Sequence, residues 1–529
     1  MLRCFFGLSL LYPPVFWPGH AVNVCAYLYL RNFPERWLNP RRWIVSAALA
    51  SAALAHAELP AIVAAALAKA RLPEDSIGLI VERVADRRIV VAHRADRSLQ
   101  TASTMKLLTT AVGLERLGPA YRSRTELRTA GLVVADVLQG DLVLKGLADA
   151  DLDWTAFRGM LLNLKQQGVT EIAGDLLLDR TFFSPPRVDI DVPPFDESPE
   201  FQYNVIPDAL LLNNNLFELT MESTDVGFLA RMDLALDRVV LAPAMTLVEG
   251  VCKDWEDLWE TPLVERSANG TLRVVLRGSF PKDCKATTRI NVLDRTDYID
   301  RLFRSLWREM GGRFSGVTRE ALAPVSTRLL VEHRSRTMPE IVRDINKPSD
   351  NALTRSLLMT LGALAKDGDA SATSTTRGEQ VVRGWLRERG ISDEGLVMEN
   401  GSGLSRSERL PPRMLADVLR AMTKSEWAPE FLSSLPIVGV DGTMRNRLKE
   451  STATGRARVK TGTLRDVVAV AGYVRNADGE LCIVVGLINH PQANHKVARP
   501  VVDTLMEWLS QQPGPAAWPW WQRMLGAKN

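Results

Sequence analysis

The feature that most restricts the fold is a change of pattern along the chain. From about residue 121 to residue 323, short runs that alternate between apolar and polar residues are separated by turns rich in Pro and Asp, which is typical of β-strands. Outside this stretch, helical patterns and longer strands dominate. A hairpin pattern near the start (77–93) and two late strands (466–475 and 481–489) therefore predict one α/β domain, which a mostly β insertion interrupts.

The domain boundaries follow from these changes of pattern. The chain has 529 residues, of which 46% are hydrophobic and 24% charged, an ordinary composition for a globular protein of several domains. The predicted parts are a leader (1–57), the split α/β domain (58–118 and 325–512), a first inserted domain (119–200 and 300–324), a second inserted domain (201–299) and a tail rich in Pro and Trp (513–529). We expect the tail to be a loose end with a possible weak membrane contact.

The start of the chain has the order of segments found in a secretory signal peptide. Arg41 and Arg42 precede a short apolar run over Trp43–Leu54, and a small-x-small pattern ends at Ala57. This order predicts export to the periplasm with cleavage after Ala57. Residues 1–40 are then either an over-long start or an extra anchor.

The charges and cysteines exclude some functions. The whole chain has a formal charge of +3, and residues 1–57 alone carry +4. The remaining residues therefore carry −1, which is not the positive charge that a nucleic-acid-binding protein needs. Cys252 and Cys284 lie in one irregular polar stretch, so a disulfide between them is expected in an oxidising compartment. Cys482 lies in an apolar run and is expected to be buried. No Cys/His cluster has metal-ligand spacing, and we expect no metal or cofactor.

Three short motifs stand in a fixed order. Each alone is weak: Ser103 can be an ordinary helix N-cap, Ser349-Asp350-Asn351 alone is more often an ordinary N-cap before a helix, and a Lys-Thr-Gly sequence is usually a turn. All three together, each in a fitting local context, are a strong signal. The motifs are Ser103-Thr104-Met105-Lys106, Ser349-Asp350-Asn351 and Lys460-Thr461-Gly462-Thr463.

The first motif fits nucleophilic catalysis. Ser103 and Lys106 are three residues apart at the start of a helical pattern, so both side chains lie on one side of the helix. A lysine can act as the base for a serine hydroxyl if its pKa is depressed, and burial near a second cation such as Lys460 would depress it. A Ser-His-Asp arrangement competes poorly, because none of the histidines after the leader lies in a comparable motif.

The other two motifs fit a substrate cleft. Ser349 and Asn351 lie in a loop after Pro348, where both side chains can project into a cleft. Lys460 and its threonine neighbours can hold a carboxylate. Gly462 lacks a side chain at the point where a peptide would lie against a strand edge.

Together these motifs resemble those of the penicillin-recognising serine enzymes. The separation of Ser103 from Ser349 leaves room for inserted domains, as in the class C low-molecular-mass penicillin-binding proteins, the D-Ala-D-Ala carboxypeptidase/endopeptidase family of penicillin-binding protein 4. Further segments are similar to that family, at 102–107 (ASTMKL), 400–406 (NGSGLSR) and 439–443 (GVDGT). The resemblance implies an α/β (α+β) serine transpeptidase/β-lactamase-like domain and a hydrolase that forms an acyl-enzyme.

The resemblance also implies a role for each motif residue. Ser103 is the implied nucleophile and Lys106 its general base, while Ser349 relays a proton to the leaving D-Ala nitrogen. The remaining implied roles are substrate backbone binding by Asn351, carboxylate binding by Lys460 and Thr461, further substrate contacts at Gly462 and Thr463, and an oxyanion hole formed by the backbone N–H groups of Ser103 and Thr463.

Three more pocket positions are implied. They are Asp179 from the insertion, Arg406 from the NGSGLSR segment, and Arg465 just after Lys-Thr-Gly-Thr. Arg465 departs from the family pattern, in which a smaller or neutral polar residue is expected.

The implied partners are peptidoglycan peptides that end in D-Ala-D-Ala, with β-lactams as covalent inhibitors. Two alternatives stay open. One is a β-lactamase on the same core, although the sequence has no Glu-x-x-Leu-Asn pattern after Ser349. The other is a catalytically silent peptidoglycan-binding protein, which the intact Ser103, Lys106 and Lys460 disfavour.

Overall fold

The structure is a computed structural model and describes residues 59–514, apart from 367, 368 and 370. The predicted leader with its cleavage site, and residues 515–529 of the tail, lie outside the described residues.

The helices within the described part of the chain fall mostly in its two ends. They are α1 Ala61–Lys69, α2 Lys106–Leu117, α3 Trp154–Gln166, α4 Arg295–Glu309, α5 Met338–Asn346, α6 Asn351–Ala363, α7 Ser374–Glu388, α8 Pro412–Thr423, α9 Ala428–Ser434 and α10 Arg499–Gln511.

Strands occur throughout the described residues, and most of them lie in the insertion. They are β1 Ile77–Arg83, β2 Ile89–His93, β3 Leu99–Gln100, β4 Arg124–Thr129, β5 Leu132–Val134, β6 Val137–Gln139, β7 Leu142–Leu147, β8 Glu171–Ile172, β9 Leu176–Asp179, β10 Phe217–Ser223, β11 Phe228–Met232, β12 Val239–Pro243, β13 Thr246–Val248, β14 Trp259–Arg266, β15 Leu272–Pro281, β16 Lys285–Ile290, β17 Arg313–Phe314, β18 Thr318–Glu320, β19 Arg328–Arg334, β20 Arg409–Leu410, β21 Ala457–Leu464, β22 Val467–Arg475 and β23 Leu481–Asn489.

One antiparallel sheet joins the two ends of the described chain. Its strand order is β2-β1-β23-β22-β21, so the early hairpin pairs directly with the late strands. Successive residues of β22 and β23 face opposite sides: Val470 and Val484 pack in the cluster with α1 and α10, whereas Ala471 and Val485 pack in the cluster with α2 and α8. Because both faces are covered, these strands read as continuous apolar runs. The predicted split α/β domain is confirmed.

The inserted region has its own sheets and its own core. The sheets have the orders β18-β9-β7-β4-β19, β17-β8-β6-β5, β11-β10-β16 and β12-β15-β13, with β14 also paired to β15. One large cluster of buried hydrophobic residues spans both predicted inserted domains. The insertion also contains α3 and α4, which the prediction of a mostly β region omitted. Their N-caps, Asp153 and Asp294, accept hydrogen bonds from backbone N–H groups of the first turn, a start signal present in the sequence.

One predicted boundary is wrong. We assigned the strand after residue 325 to the split domain, but β19 pairs antiparallel with β4 and so belongs to the inserted sheet. The chain crosses between the two regions on either side of this pair. There the Ser335 hydroxyl accepts a hydrogen bond from Ser123 N at 3.0 Å, which ties the outgoing and returning segments together.

The cysteines occupy the predicted positions. A disulfide links Cys252 to Cys284, and Cys482 is buried in β23. Within the described ranges, no helix has both the length and the apolar character needed to cross a membrane.

Candidate active site

The first motif forms a tight turn that leads into α2. Residues 102–105 make a single 3-10 turn, entered through Ala102 at a left-handed φ of 44°. Ser103 is half-buried and Lys106 is completely buried. Lys106 Nζ lies 3.0 Å from Ser103 Oγ, so the two side chains meet as their i, i+3 spacing predicts.

The amine of Lys106 has two further partners, and they fix its direction. Nζ donates to Asn351 Oδ1 at 2.6 Å and to the Ser402 carbonyl at 2.5 Å. Burial first, and then the nearby Lys460 cation, lower the pKa of Lys106 well below its ordinary value. A neutral amine uses its two N–H groups on Asn351 and Ser402, which leaves its lone pair directed at the Ser103 hydroxyl. This arrangement can deprotonate Ser103.

The second motif reaches the cleft through a strained loop. Ser349 adopts a left-handed φ of 71°, and Asp350 caps α6 by accepting a hydrogen bond from Leu353 N at 2.8 Å. As a result, Ser349 and Asn351 flank the two lysines: Lys460 Nζ donates to Ser349 Oγ at 2.8 Å. Burial lowers the pKa of Lys460 to about 7. Lys460 can therefore exchange protons near neutral pH.

The third motif lies in the second half of β21, which is an end strand of the sheet. A Cβ at Gly462 would come within 2.7 Å of Thr101 O and 3.0 Å of Ser103 N, so glycine is required for β21 to pass this close to the nucleophile's amide. Thr463 follows it and is exposed. Thr461 Oγ1 lies 3.1 Å from Thr443 Oγ1, which brings the GVDGT segment into the site.

Sequence reasoning missed a buried carboxylate that organises the NGSGLSR segment. Glu408 is 1% exposed. Its two carboxylate oxygens accept hydrogen bonds from four backbone N–H groups at distances between 2.5 and 2.9 Å, those of Glu399, Asn400, Gly401 and Gly403. These bonds fold the segment so that the Ser402 carbonyl faces Lys106. The presence of a glutamate directly after a loop with two glycines is the signal that could have found it.

The insertion also contributes to the site, through a loop that no motif marked. Asn351 Nδ2 donates to the Tyr203 carbonyl at 2.8 Å, which fixes the amide that holds Lys106. Glu197 in the same loop lies 3.6 Å from Arg465, and both side chains are exposed. Arg465 is thus placed at the mouth of the cleft.

Two of the implied pocket residues, Arg406 and Asp179, differ in exposure: the first is exposed and the second is buried. Arg406 is exposed, stacks on the Phe195 ring at 4.5 Å and lines a cavity of about 910 Å³ together with Arg355 and Glu399. Asp179 is 0% exposed and cannot contact a substrate in this structure. Its placement in the pocket is therefore not supported.

The carboxylate of Asp179 serves the fold of the insertion. It accepts hydrogen bonds from Thr181 N at 2.9 Å and Ala323 N at 3.1 Å, and so closes the turn after β9. In the described part of the chain, no group of three or more His, Cys, Asp or Glu side chains is arranged to hold a metal ion.

Comparison with known proteins agrees with a serine–lysine acyl-transfer enzyme on this fold. The profile of the D-Ala-D-Ala carboxypeptidase 3 (S13) family matches residues 59–512. D-alanyl-D-alanine carboxypeptidase DacB of Haemophilus influenzae is 26% identical over 426 residues, which are 79% of this chain and 86% of that protein. The D-alanyl-D-alanine carboxypeptidase of Actinomadura sp. strain R39 is 27% identical over 423 residues, 77% of each chain.

A solved structure shows the same fold. The crystal structure of penicillin-binding protein 4 from Haemophilus influenzae superposes with a TM-score of 0.72 and 23% identity, and the match covers 85% of this chain and 99% of that one. The predicted fold class and the predicted family resemblance are confirmed. The chain belongs to the D-Ala-D-Ala carboxypeptidase 3 (S13) family, and it is a serine-type D-Ala-D-Ala carboxypeptidase.

Proposed function

We propose that this protein hydrolyses the D-Ala-D-Ala end of peptidoglycan peptides through an acyl-enzyme on Ser103. The observation that carries the proposal is the contact of Ser103 Oγ with Lys106 Nζ at 3.0 Å, in a setting where the other two partners of the amine are fixed. Carboxypeptidase and endopeptidase reactions both use this chemistry, since they differ only in the amine that leaves.

Acylation begins when the substrate lies along β21. Lys460 and the hydroxyls of Thr461 and Thr463 bind the terminal carboxylate. Lys106 takes the proton as Ser103 Oγ attacks the carbonyl carbon of the penultimate D-Ala. The oxyanion that forms is held by the backbone N–H groups of Ser103 and Thr463.

The second half of the reaction returns the protons. Ser349, which accepts a hydrogen bond from Lys460, acts as a relay: the proton that Lys106 took from Ser103 passes through Ser349 to the leaving D-Ala nitrogen, and Lys106 becomes neutral again. After D-Ala departs, water takes its place, loses a proton to Lys106 and attacks the ester. Ser103 is then regenerated and the shortened peptide is released.

A β-lactam presents a reactive amide and a carboxylate at comparable positions, so we propose that it acylates Ser103 as well. The opened ring stays tethered in the cleft, where it obstructs the water needed for deacylation. Slow deacylation supports inhibition of the protein by penicillin over hydrolysis of penicillin by the protein. In support, penicillin-binding protein 4 of Haemophilus influenzae has a crystal structure in complex with a novel β-lactam.

The experiment is the release of D-Ala from a pentapeptide ending in D-Ala-D-Ala. Wild-type protein should release it, and Ser103→Ala should not. If the wild-type protein binds the peptide without cleaving it, the protein is a silent binding protein and the proposal fails. Rapid hydrolysis of penicillin would instead favour a β-lactamase.

We also propose a periplasmic location. The order of segments ending at Ala57 supports it, and so does the Cys252–Cys284 disulfide, because such bonds persist in oxidising compartments. N-terminal sequencing of the exported protein should begin at Glu58. A mature protein that begins near residue 1 would contradict this proposal.

A further inference from the structure

A second cavity lies within and beside the inserted region. It has a volume of about 590 Å³, within the range of pockets that bind small molecules. Its lining comes from the start of α3, the segment before β10, and the end of β19. None of the motif residues lines it, so it is separate from the cleft around Ser103.

The charges that line this cavity balance one another. Four arginines and four acidic residues face it, and two of the pairs are already joined: Arg336 to Asp151 at 2.7 Å and Arg289 to Glu218 at 3.2 Å. A polyanion would need an excess of positive charge, and an apolar ligand would need an apolar wall. The lining therefore suits a polar ligand with little net charge.

Three side chains in this lining have groups that no described residue binds. Trp154 is 37% exposed, and within the described residues its indole makes no ring contact or hydrogen bond. The amide of Asn214 likewise makes no hydrogen bond to any described residue. Asp233 accepts a bond from Glu218 N on one oxygen, and its other oxygen remains available to a ligand.

The backbone around Asn214 is held in a costly conformation. Asn213, Asn214 and Asn215 have left-handed φ values of 51°, 54° and 55°, a conformation that is unfavourable for a residue with a side chain and persists only where the surroundings hold it. The outer two are anchored: Asn213 donates to Leu216 O at 2.7 Å, and Asn215 donates to Leu293 O at 2.7 Å. Asn213 and Asn214 both line the cavity, and the middle amide is the one of the three that no described residue binds.

From this arrangement we infer that the cavity binds an oligosaccharide, specifically the hexosamine strand to which the peptides of the substrate are attached. A sugar ring offers a C–H face that packs on an indole and hydroxyl groups that bond to amides and carboxylates. Trp154 supplies the ring, and Asn214 and Asp233 supply the polar partners. The choice of strand rests on the proposed function, whereas saccharide binding itself does not.

The test uses a tetrasaccharide of N-acetylglucosamine as the probe, with binding measured by calorimetry on the Ser103→Ala protein. Trp154→Ala should weaken binding about tenfold or more, because loss of a well-placed aromatic contact removes a large share of the binding free energy. Asn214→Gly should weaken it as well. Glycine accepts the left-handed φ, so this variant removes the amide without straining the fold.

Leu162→Ala is the matched control, since Leu162 is exposed on the same helix and does not line the cavity. It should bind the tetrasaccharide as the parent does. With Ser103 intact, Trp154→Ala should raise the KM for D-Ala release from intact peptidoglycan and leave hydrolysis of the free pentapeptide unchanged.

Several results would overturn the inference. The first is failure of the parent protein to bind the tetrasaccharide at millimolar concentration. The second is binding by Trp154→Ala and Asn214→Gly that equals binding by the parent. The third is Trp154-dependent binding of the sugar-free stem peptide in place of the sugar. The proposed function fails separately: if the wild-type protein binds the sugar but releases no D-Ala from the pentapeptide, the saccharide site stands and the peptidase assignment does not.

Discussion

The Ser402 carbonyl accepts a hydrogen bond from Lys106 Nζ at 2.5 Å. A backbone oxygen from the NGSGLSR segment thus orients the proposed general base, which lies about 300 positions earlier in the chain. Because Asn351 binds the same amine from a third segment, the base is oriented by two partners that do not react. This orientation leads to predictions that separate the chemistry from the fold.

Replacement of Lys106 by methionine should abolish acylation while the protein still folds. Methionine keeps most of the buried volume but provides no base, and loss of a general base costs on the order of 10²–10⁴ in rate. The measurement is the rate of labelling by a fluorescent penicillin, together with the Tm. Lys424→Met, at an exposed lysine, should label at the wild-type rate. Normal labelling of Lys106→Met would assign the base to another group.

Replacement of Lys460 by methionine should shift the pH profile of acylation. Acylation needs neutral Lys106, so its rate rises with pH through the pKa of that amine. Lys460 is one of the causes that lower this pKa. Without this cation the pKa rises, and the midpoint of the profile should move to more alkaline pH. The control Lys424→Met should keep the wild-type midpoint. If Lys460→Met keeps it as well, Lys460 does not lower the pKa of Lys106.

Replacement of Glu408 by glutamine should disrupt the site without touching a motif residue. Glutamine loses the negative charge and points N–H groups at a ring of N–H donors. Each charged hydrogen bond contributes roughly 1.5–3 kcal/mol, so the free energy of unfolding should fall by about 3 kcal/mol or more. Acylation should slow as Ser402 moves. Glu394→Gln, at an exposed position, should leave both quantities unchanged in denaturant titration and labelling assays.

Replacement of Gly462 by alanine should slow acylation more than it destabilises the protein. The added Cβ presses on Ser103 N and Thr101 O, which displaces a donor of the oxyanion hole, and loss of one such donor costs on the order of 10²–10³ in rate. Gly384→Ala is the control, since a Cβ there meets no atom within 4 Å. Equal acylation by both variants would show that β21 does not shape the oxyanion hole.

The sequence was sufficient for the split domain and for the convergence of the three motifs, because both depend on residue types in order. It could not reveal the roles of Ser402 and Tyr203, which act through backbone carbonyls that carry no residue-type signal. Asp179 was placed in the pocket by resemblance alone. In the structure its carboxylate is used by the turn after β9, a local role that only the fold can distinguish from substrate binding.

The strand β19 was assigned to the wrong side of the boundary for a related reason. Its pattern is the same in either sheet, and only its pairing with β4 decides between them. The helices α3 and α4 are absent from the prediction because the alternating apolar and polar runs around them favour strands.

The most direct test of the account is intact-protein mass spectrometry after a brief pulse of penicillin, followed by peptide mapping. Acylation should be fast and deacylation slow, since the opened ring remains in the cleft and obstructs water. The account predicts a stable adduct of one penicillin per chain, located on Ser103 and absent from Ser103→Ala. An adduct elsewhere, rapid turnover of the drug with no adduct, or no reaction at all would contradict it.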